Sequence, residues 1–279
     1  MREFLTALGN YTFLQHALLA GVLASIAGGL AGTYVVVRRV SFITGGISHT
    51  ILGGMGIAYY YGLNPTKGAV VSAVIAAIII GLVSLRARQH EDTVIGALWA
   101  IGMAVGILFI SRTPGYNVDL MTFLFGNILM VSADDLLLIA ALDGFIVLTV
   151  ALLYNHLLAV VFDEEHARLR GLPVEALHLL LLILIALTVV ILIKIVGLIL
   201  VIALLTLPPA IARHYVGNLA RMMVLATVLG LIFNGTGLAV SYMLDLPTGA
   251  TIVVIAGVAY LLSLAVQSLR QTITPQLSK

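Results

Sequence analysis

The sequence predicts an all-α fold, a polytopic transmembrane helical bundle of eight or nine spans, and three observations predict it. Of 279 residues 61% are apolar and 9% charged, with a mean hydropathy of +1.16. A soluble domain carries about 25% charged residues, so 14 basic and 12 acidic side chains cannot clothe a water-facing surface. The charges are also clustered. They leave uncharged runs at 4–37, 40–66, 68–85, 93–111, 144–162, 176–193, 195–212, 222–244 and 246–269, each at or above the roughly 18 apolar residues of a membrane-crossing helix. Runs such as LLLLILIALTVVILI do not alternate, as the strands of about 10 residues in a membrane barrel do, and lipid then forces helix.

The same arithmetic excludes other classes. With no cysteine there is no disulfide, thiolate metal ligand or nucleophilic thiol. A net charge of +2, dispersed along the chain, offers no nucleic-acid surface. The first apolar run is far longer than a signal-peptide core, so no cleaved leader is expected. One membrane domain, 1–279, accounts for the chain.

Taken in order, the runs show their orientation and packing. Arg38, Arg39, Arg86, Arg88, Arg168, Arg170, Arg213, Arg221, Arg270 and Lys279 fall between alternate runs, and only Arg2, Lys67, Arg112 and Lys194 fall in the other gaps. The positive-inside rule makes the first set cytoplasmic. That gives an outside N-terminus, an inside C-terminus and nine crossings, or eight if the short stretch at 195–207 is re-entrant. Small residues at helix-packing spacing mark close backbone approach: Gly28 and Gly32 in the first run, Gly46, Thr50 and Gly54 in the second, Gly102 and Gly106 in the fourth. The stretch from Ser111 to Val131, broken by Pro114, Gly115, Asn117 and Asp119, reads as an interfacial cap or re-entrant segment.

In the second run Gly45, His49 and Gly53 share one helix face, with Ser48 beside it. If the helix starts near Ser41, His49 lies about 12 Å along it, inside a hydrocarbon core of about 30 Å. An ionisable group at that depth is a functional candidate; the alternative is a neutral imidazole bonded to a neighbouring helix. His16, His90, His156, His166, His178 and His214 are weaker candidates. No HExxH or Ser/His/Asp spacing appears, so no enzyme is expected. None of the three lysines follows a phosphate-binding glycine loop, and Asp143 is the one acid close to a span interior. An external ATPase therefore fits better than an ion gradient. Two cytoplasmic segments look built for docking: Asp163 to Ala176, punctuated by Gly171 and Pro173, and Leu207 to Met223, where Pro208 and Pro209 suit a helix's first turn and Arg213 and Arg221 face the cytoplasm.

RRVSF followed by GGISHTILGG, EDTVIGALWAIGMAVGIL (91–108), FGNIL (125–129), DEEHARLRGLPV, VGLILVIALLTLPPAIA (196–212) and DLPTGATIVV (245–254) together resemble the membrane permease subunits of metal-ion ABC transporters. The layout is also similar to that of vitamin and siderophore permeases. The resemblance implies import of a divalent ion, zinc or manganese first and iron next. It implies a cytoplasmic ATP-binding subunit, an extracytoplasmic metal-binding protein, a homodimer in the cytoplasmic membrane, and no permanently bound cofactor. It places the ATPase-coupling surface at Pro208, Pro209, Arg213 and His214, with Ala167, Arg168 and Gly171 on the same face. Many family members carry an Asp one turn before the histidine of the second helix; Gly45 stands there, so only His49 carries over. Ser48, Thr50, Met55, Asn234 and Asp245 are candidates to complete the path, and Gly45, Gly46, Gly53 and Gly54 for helix packing. A metal-chelate or vitamin-like permease and a gradient-driven carrier are the alternatives.

Overall fold

A computed structural model describes residues 2–86, 90–113 and 124–273, and all regular structure within them is helical. Arg88, Pro114, Gly115, Asn117, Asp119, Lys279 and the side chain of Arg270 lie outside the described residues. The helices are α1 (Arg2–Asn10), α2 (Thr12–Arg38), α3 (Ser41–Tyr60), α4 (Pro65–Arg86), α5 (Glu91–Ser111), α6 (Ala133–Phe162), α7 (Glu164–Leu169), α8 (Val174–Tyr215), α9 (Leu219–Leu244) and α10 (Thr248–Ile273), with a 3-10 turn at Ile128–Met130. Seven of them, α2, α4, α5, α6, α8, α9 and α10, are long and apolar enough to cross a membrane. α3 has the length but not the hydropathy, because glycine, serine, threonine and His49 displace leucine along it.

Local chemistry sets the breaks. The first apolar run divides at Tyr11, whose backbone is extended, into α1 and α2. Asn64 caps α4 by accepting from the Thr66 N–H at 2.8 Å, just ahead of Pro65, whose missing N–H costs nothing in a first turn. α6 begins at Ala133, eleven residues before the uncharged run at 144–162, through Asp143 and up to a capping box in which Ser132 and Asp135 satisfy each other's backbone N–H. Asp163 ends α6 and caps α7.

The 42-residue α8 is not one rod. Gly197 breaks it with φ +78° and ψ 176°, a conformation open to glycine alone. Leu192 lies against Gly28 of α2, and the Leu205 carbonyl lies against Gly32. In an unbroken helix those leucines would stand about 20 Å apart, whereas Gly28 and Gly32 are about 6 Å apart. α8 is therefore a hairpin with its corner at Gly197. The corner is held by backbone contact: a Cβ on Gly126 would meet the Val196–Gly197 backbone, and one on Gly249 would come 2.7 Å from the Phe125 carbonyl oxygen. The 124–131 segment enters the bundle here, and Ile128 reaches Gly21 of α2, about 13 Å from that helix's start.

The two ends of the bundle differ. At one, Arg38 donates to Glu164 at 2.6 Å, to the Val160 carbonyl at 3.0 Å and to His178 Nδ1 at 3.3 Å. A cleft of about 550 Å³ opens there between Ser84, Glu164, Glu165, Arg168 and His178. At the other end Lys194 pairs with Asp135 at 3.0 Å, which also accepts from Thr66 Oγ1 at 3.2 Å. The arginine-rich end is the one the positive-inside rule makes cytoplasmic.

Candidate functional site

α3 lies between α4, α5 and α8, and glycine sets the spacing on each side. A Cβ on Gly53 would sit 3.0 Å from the Gly102 carbonyl oxygen, and one on Gly56 2.6 Å from that of Gly106. Gly46 is closed by Ile95, and Gly54 by Gly68 and Ser72. In lipid such close approach is the main source of helix association. Glycine on either side of His49 therefore opens no room around the imidazole; α5 fills the space.

His49 is 9% exposed, and its Nδ1 has no hydrogen-bond partner among the described residues. Its ring stacks on Trp99 of α5, with centroids 4.1 Å apart and planes 10° from parallel; such pairs contribute about 1 kcal/mol beyond burial. Trp99 in turn touches Phe42, with centroids at 6.4 Å. Gly45, one turn before His49, lies under the same indole and under Ile202 of α8; a Cβ there would sit 3.2 Å from each. Sequence reasoning missed Trp99. The signal was present, since Trp99 belongs to the stripe Ile95, Gly102, Gly106 and Ile110 that buries itself at helical spacing, but the partner of that stripe was not readable.

The other candidates separate. The Ser48 hydroxyl donates to the Gly45 carbonyl at 2.8 Å, and Thr50 to that of Gly46 at 2.7 Å. Met55 lines a cavity of about 90 Å³ with Asn127, Met130 and Lys194. Asn234 is bonded to Ser25 of α2 at 2.9 Å. Asp245 is an exposed left-handed cap ending α9, a helix that packs on α2, α8 and α10. The structure does not bring Asn234 or Asp245 to His49. Among the described residues no cluster of three or more His, Asp or Glu could hold a metal ion, so the candidate site is one buried imidazole. A closed zinc site takes four protein ligands; a single ligand suits a path that an ion must enter and leave.

At the arginine-rich end, Pro208 and Pro209 lie inside the second half of α8 instead of opening a short helix. Proline is tolerated in a membrane helix where neighbours cover the freed carbonyl. Here Gly32 of α2 comes against the Leu205 carbonyl, the acceptor that Pro209 cannot serve. Arg213 is exposed at the end of this half. His214 faces inward: its Nδ1 is 2.8 Å from Ser263 Oγ, and its ring stacks on Tyr260. Ala167 is fully buried, while Arg168, in the last turn of α7, and Gly171, on the connection to α8 at φ +76°, are exposed.

Apolar helices long enough to cross a bilayer, with arginines gathered at one end, make this a multi-pass membrane protein. The chain belongs to the ABC 3 transport family, whose model matches residues 10–267. It is 46% identical over 256 residues to the uncharacterized membrane protein slr2045 of Synechocystis, covering 92% of this chain and 91% of that one. It is 37% identical to a manganese transport system membrane protein of Halalkalibacterium halodurans, over 93% and 89%. Among solved structures it matches a chain of PsaBC from Streptococcus pneumoniae in complex with Fab, with a TM-score of 0.85, 33% identity and 94% of each chain covered.

Proposed function

We propose that the chain is the permease of an importer that passes a divalent metal ion, manganese or zinc, inward through a homodimer. Two cytoplasmic ATP-binding subunits drive it, and an extracytoplasmic metal-binding protein supplies it. The observation that carries this reading is the unpartnered Nδ1 of His49, buried in a long helix that glycine more than leucine packs. A neutral imidazole nitrogen is a ligand for zinc and iron. Kinship with a manganese transport protein supports the choice of cargo. We count nine passages, through α2, α3, α4, α5, α6, both halves of α8, α9 and α10; the folding back at Gly197 and the separation of Lys194 from the arginines support that count.

The chain's contribution is mechanical and coordinative. The second half of α8 runs from the Gly197 corner past Ile202, which touches Gly45, to the exposed Arg213. A push on Arg213 by the ATP-binding subunits reaches α3 through that contact. ATP-driven uptake of manganese or zinc into proteoliposomes holding the assembled complex tests the proposal. His49→Ala is expected to lower the rate about tenfold or more while leaving assembly intact, and uptake at the wild-type rate would remove His49 from the path.

A further inference from the structure

We propose that Trp99 is a positioning residue for His49, an aromatic wall that fixes the plane, and so the lone-pair direction, of the imidazole offered to the passing ion. The inference rests on the metal reading above and adds a residue to it. An imidazole lone pair lies in the plane of its ring, so whatever holds that plane aims the coordinate bond. Metal-binding histidines are ordinarily aimed by a hydrogen bond to a neighbouring carboxylate, carbonyl or water. His49 instead lies flat on the indole, 4.1 Å away and 10° from parallel, with Nδ1 unpartnered among the described residues.

Gly45 belongs to the same unit. A Cβ there would come 3.2 Å from the indole Cζ3 and 3.2 Å from Ile202 Cδ1. A side chain at position 45 would therefore require the indole or Ile202 to give way by a few tenths of an ångström. The missing side chain one turn before His49 is the space into which Trp99 fits. Because Ile202 closes the other side of that space, the stack also lies next to the half of α8 that reaches Arg213, and a shift of that half meets α3 at Gly45, beside the indole. Phe42 backs the indole from the start of α3.

Trp99 is the only tryptophan in the chain, which gives the inference a readout separate from transport. The difference in emission between the wild-type complex and the Trp99→Phe complex, in lipid nanodiscs, isolates this indole from those of the other subunits. Added Mn²⁺, which quenches by proximity, and Zn²⁺, which quenches only by altering the stack, are expected to change that emission saturably. Mg²⁺ is not, and His49→Ala is expected to abolish the Zn²⁺ response. In ATP-driven uptake Trp99→Leu is expected to lower the maximal rate about tenfold, with no change in the concentration of loaded binding protein that gives half the maximal rate. Trp99→Phe, which retains a ring to stack, recovers most of it.

Wild-type emission that ignores Mn²⁺ and Zn²⁺ while uptake of the same ion proceeds overturns the role of Trp99 and leaves the metal reading standing. Trp99→Leu transporting at the wild-type rate does the same. If no divalent ion is taken up and none alters the emission, the metal reading itself falls and the inference with it.

Discussion

The first half of α8 and most of α3 are buried among other helices, yet they are packed by opposite means. The most apolar window of α8 is 78% buried, against 22% in α5, α6 and α10, and it is filled by leucine, isoleucine and valine from Leu181 to Ile193. α3 meets α5 and α4 largely through glycine backbone, with Gly53 on Gly102, Gly56 on Gly106 and Gly54 on Gly68. In lipid neither gains a hydrophobic driving force from its neighbours, since the acyl chains are as apolar as leucine; what remains is dispersion and close approach. Side chains interdigitating on α8 make many small contacts that can be trimmed one at a time. Backbone on backbone leaves nothing to trim and nothing that can rotate away. It also frees α3 from needing apolar side chains, which is why the imidazole can sit there.

That contrast orders the expected effects. The largest is Gly106→Leu, whose Cβ would lie 2.6 Å from the Leu52 carbonyl oxygen and 2.8 Å from its carbon. Overpacking against side chains costs roughly 1–3 kcal/mol; against backbone the helices must separate, and no folded permease is expected by size-exclusion chromatography in mild detergent. A Gly106→Leu chain that elutes and melts like the wild type would show that α3 and α5 are not pinned as described. Ile185→Ala, at a fully buried position on α8, should cost about 3 kcal/mol through the cavity it leaves. It is expected to fold, to melt at a lower temperature, and to transport at the wild-type rate per folded molecule. If it abolished uptake without unfolding, α8 would be part of the ion path and not a pillar beside it.

The same contrast explains what could be read in advance. The fold class was legible because 9% charge leaves no other option, and the arginine asymmetry marked one end of the bundle. Span boundaries drawn from uncharged runs went astray where a charge sits inside a helix: Asp143 does not interrupt α6, which begins at Ala133. They also went astray where a break carries no charge, as at Tyr11. The turn of α8 was expected beside Lys194 and falls three residues on, at Gly197. Pro208 and Pro209 read as a helix start because proline's cost is usually local; here Gly32, far away in sequence, makes the interior position tolerable. His49 was legible as an ionisable group within an apolar run. Its partner was not, because the pairing of α3 with α5 is a property of the packed bundle, and a glycine stripe says that a helix is close without saying which.

The smallest expected effect lies at the point where the two kinds of packing meet. Lys194, near the α8 corner, pairs with Asp135, which also accepts from Thr66 at the start of α4, the helix whose Gly68 touches Gly54 of α3. The pair thus ties the leucine-packed hairpin to the glycine-packed side. It is part-exposed, with side-chain accessibilities of 29% and 14%, and such pairs contribute about 1 kcal/mol at most. Lys194→Gln leaves Asp135 with its Ser132 and Thr66 partners, so the melting temperature should fall by about 2–4 °C. Asp135→Asn should cost more, because it also weakens the capping box that starts α6, a loss of about 1 kcal/mol in its own right. Equal melting temperatures for the two variants would mean that the cap is carried by Ser132 alone. A fall in Lys194→Gln as large as in Ile185→Ala would mean that the corner at Gly197, and not the leucine core beneath it, holds the hairpin closed.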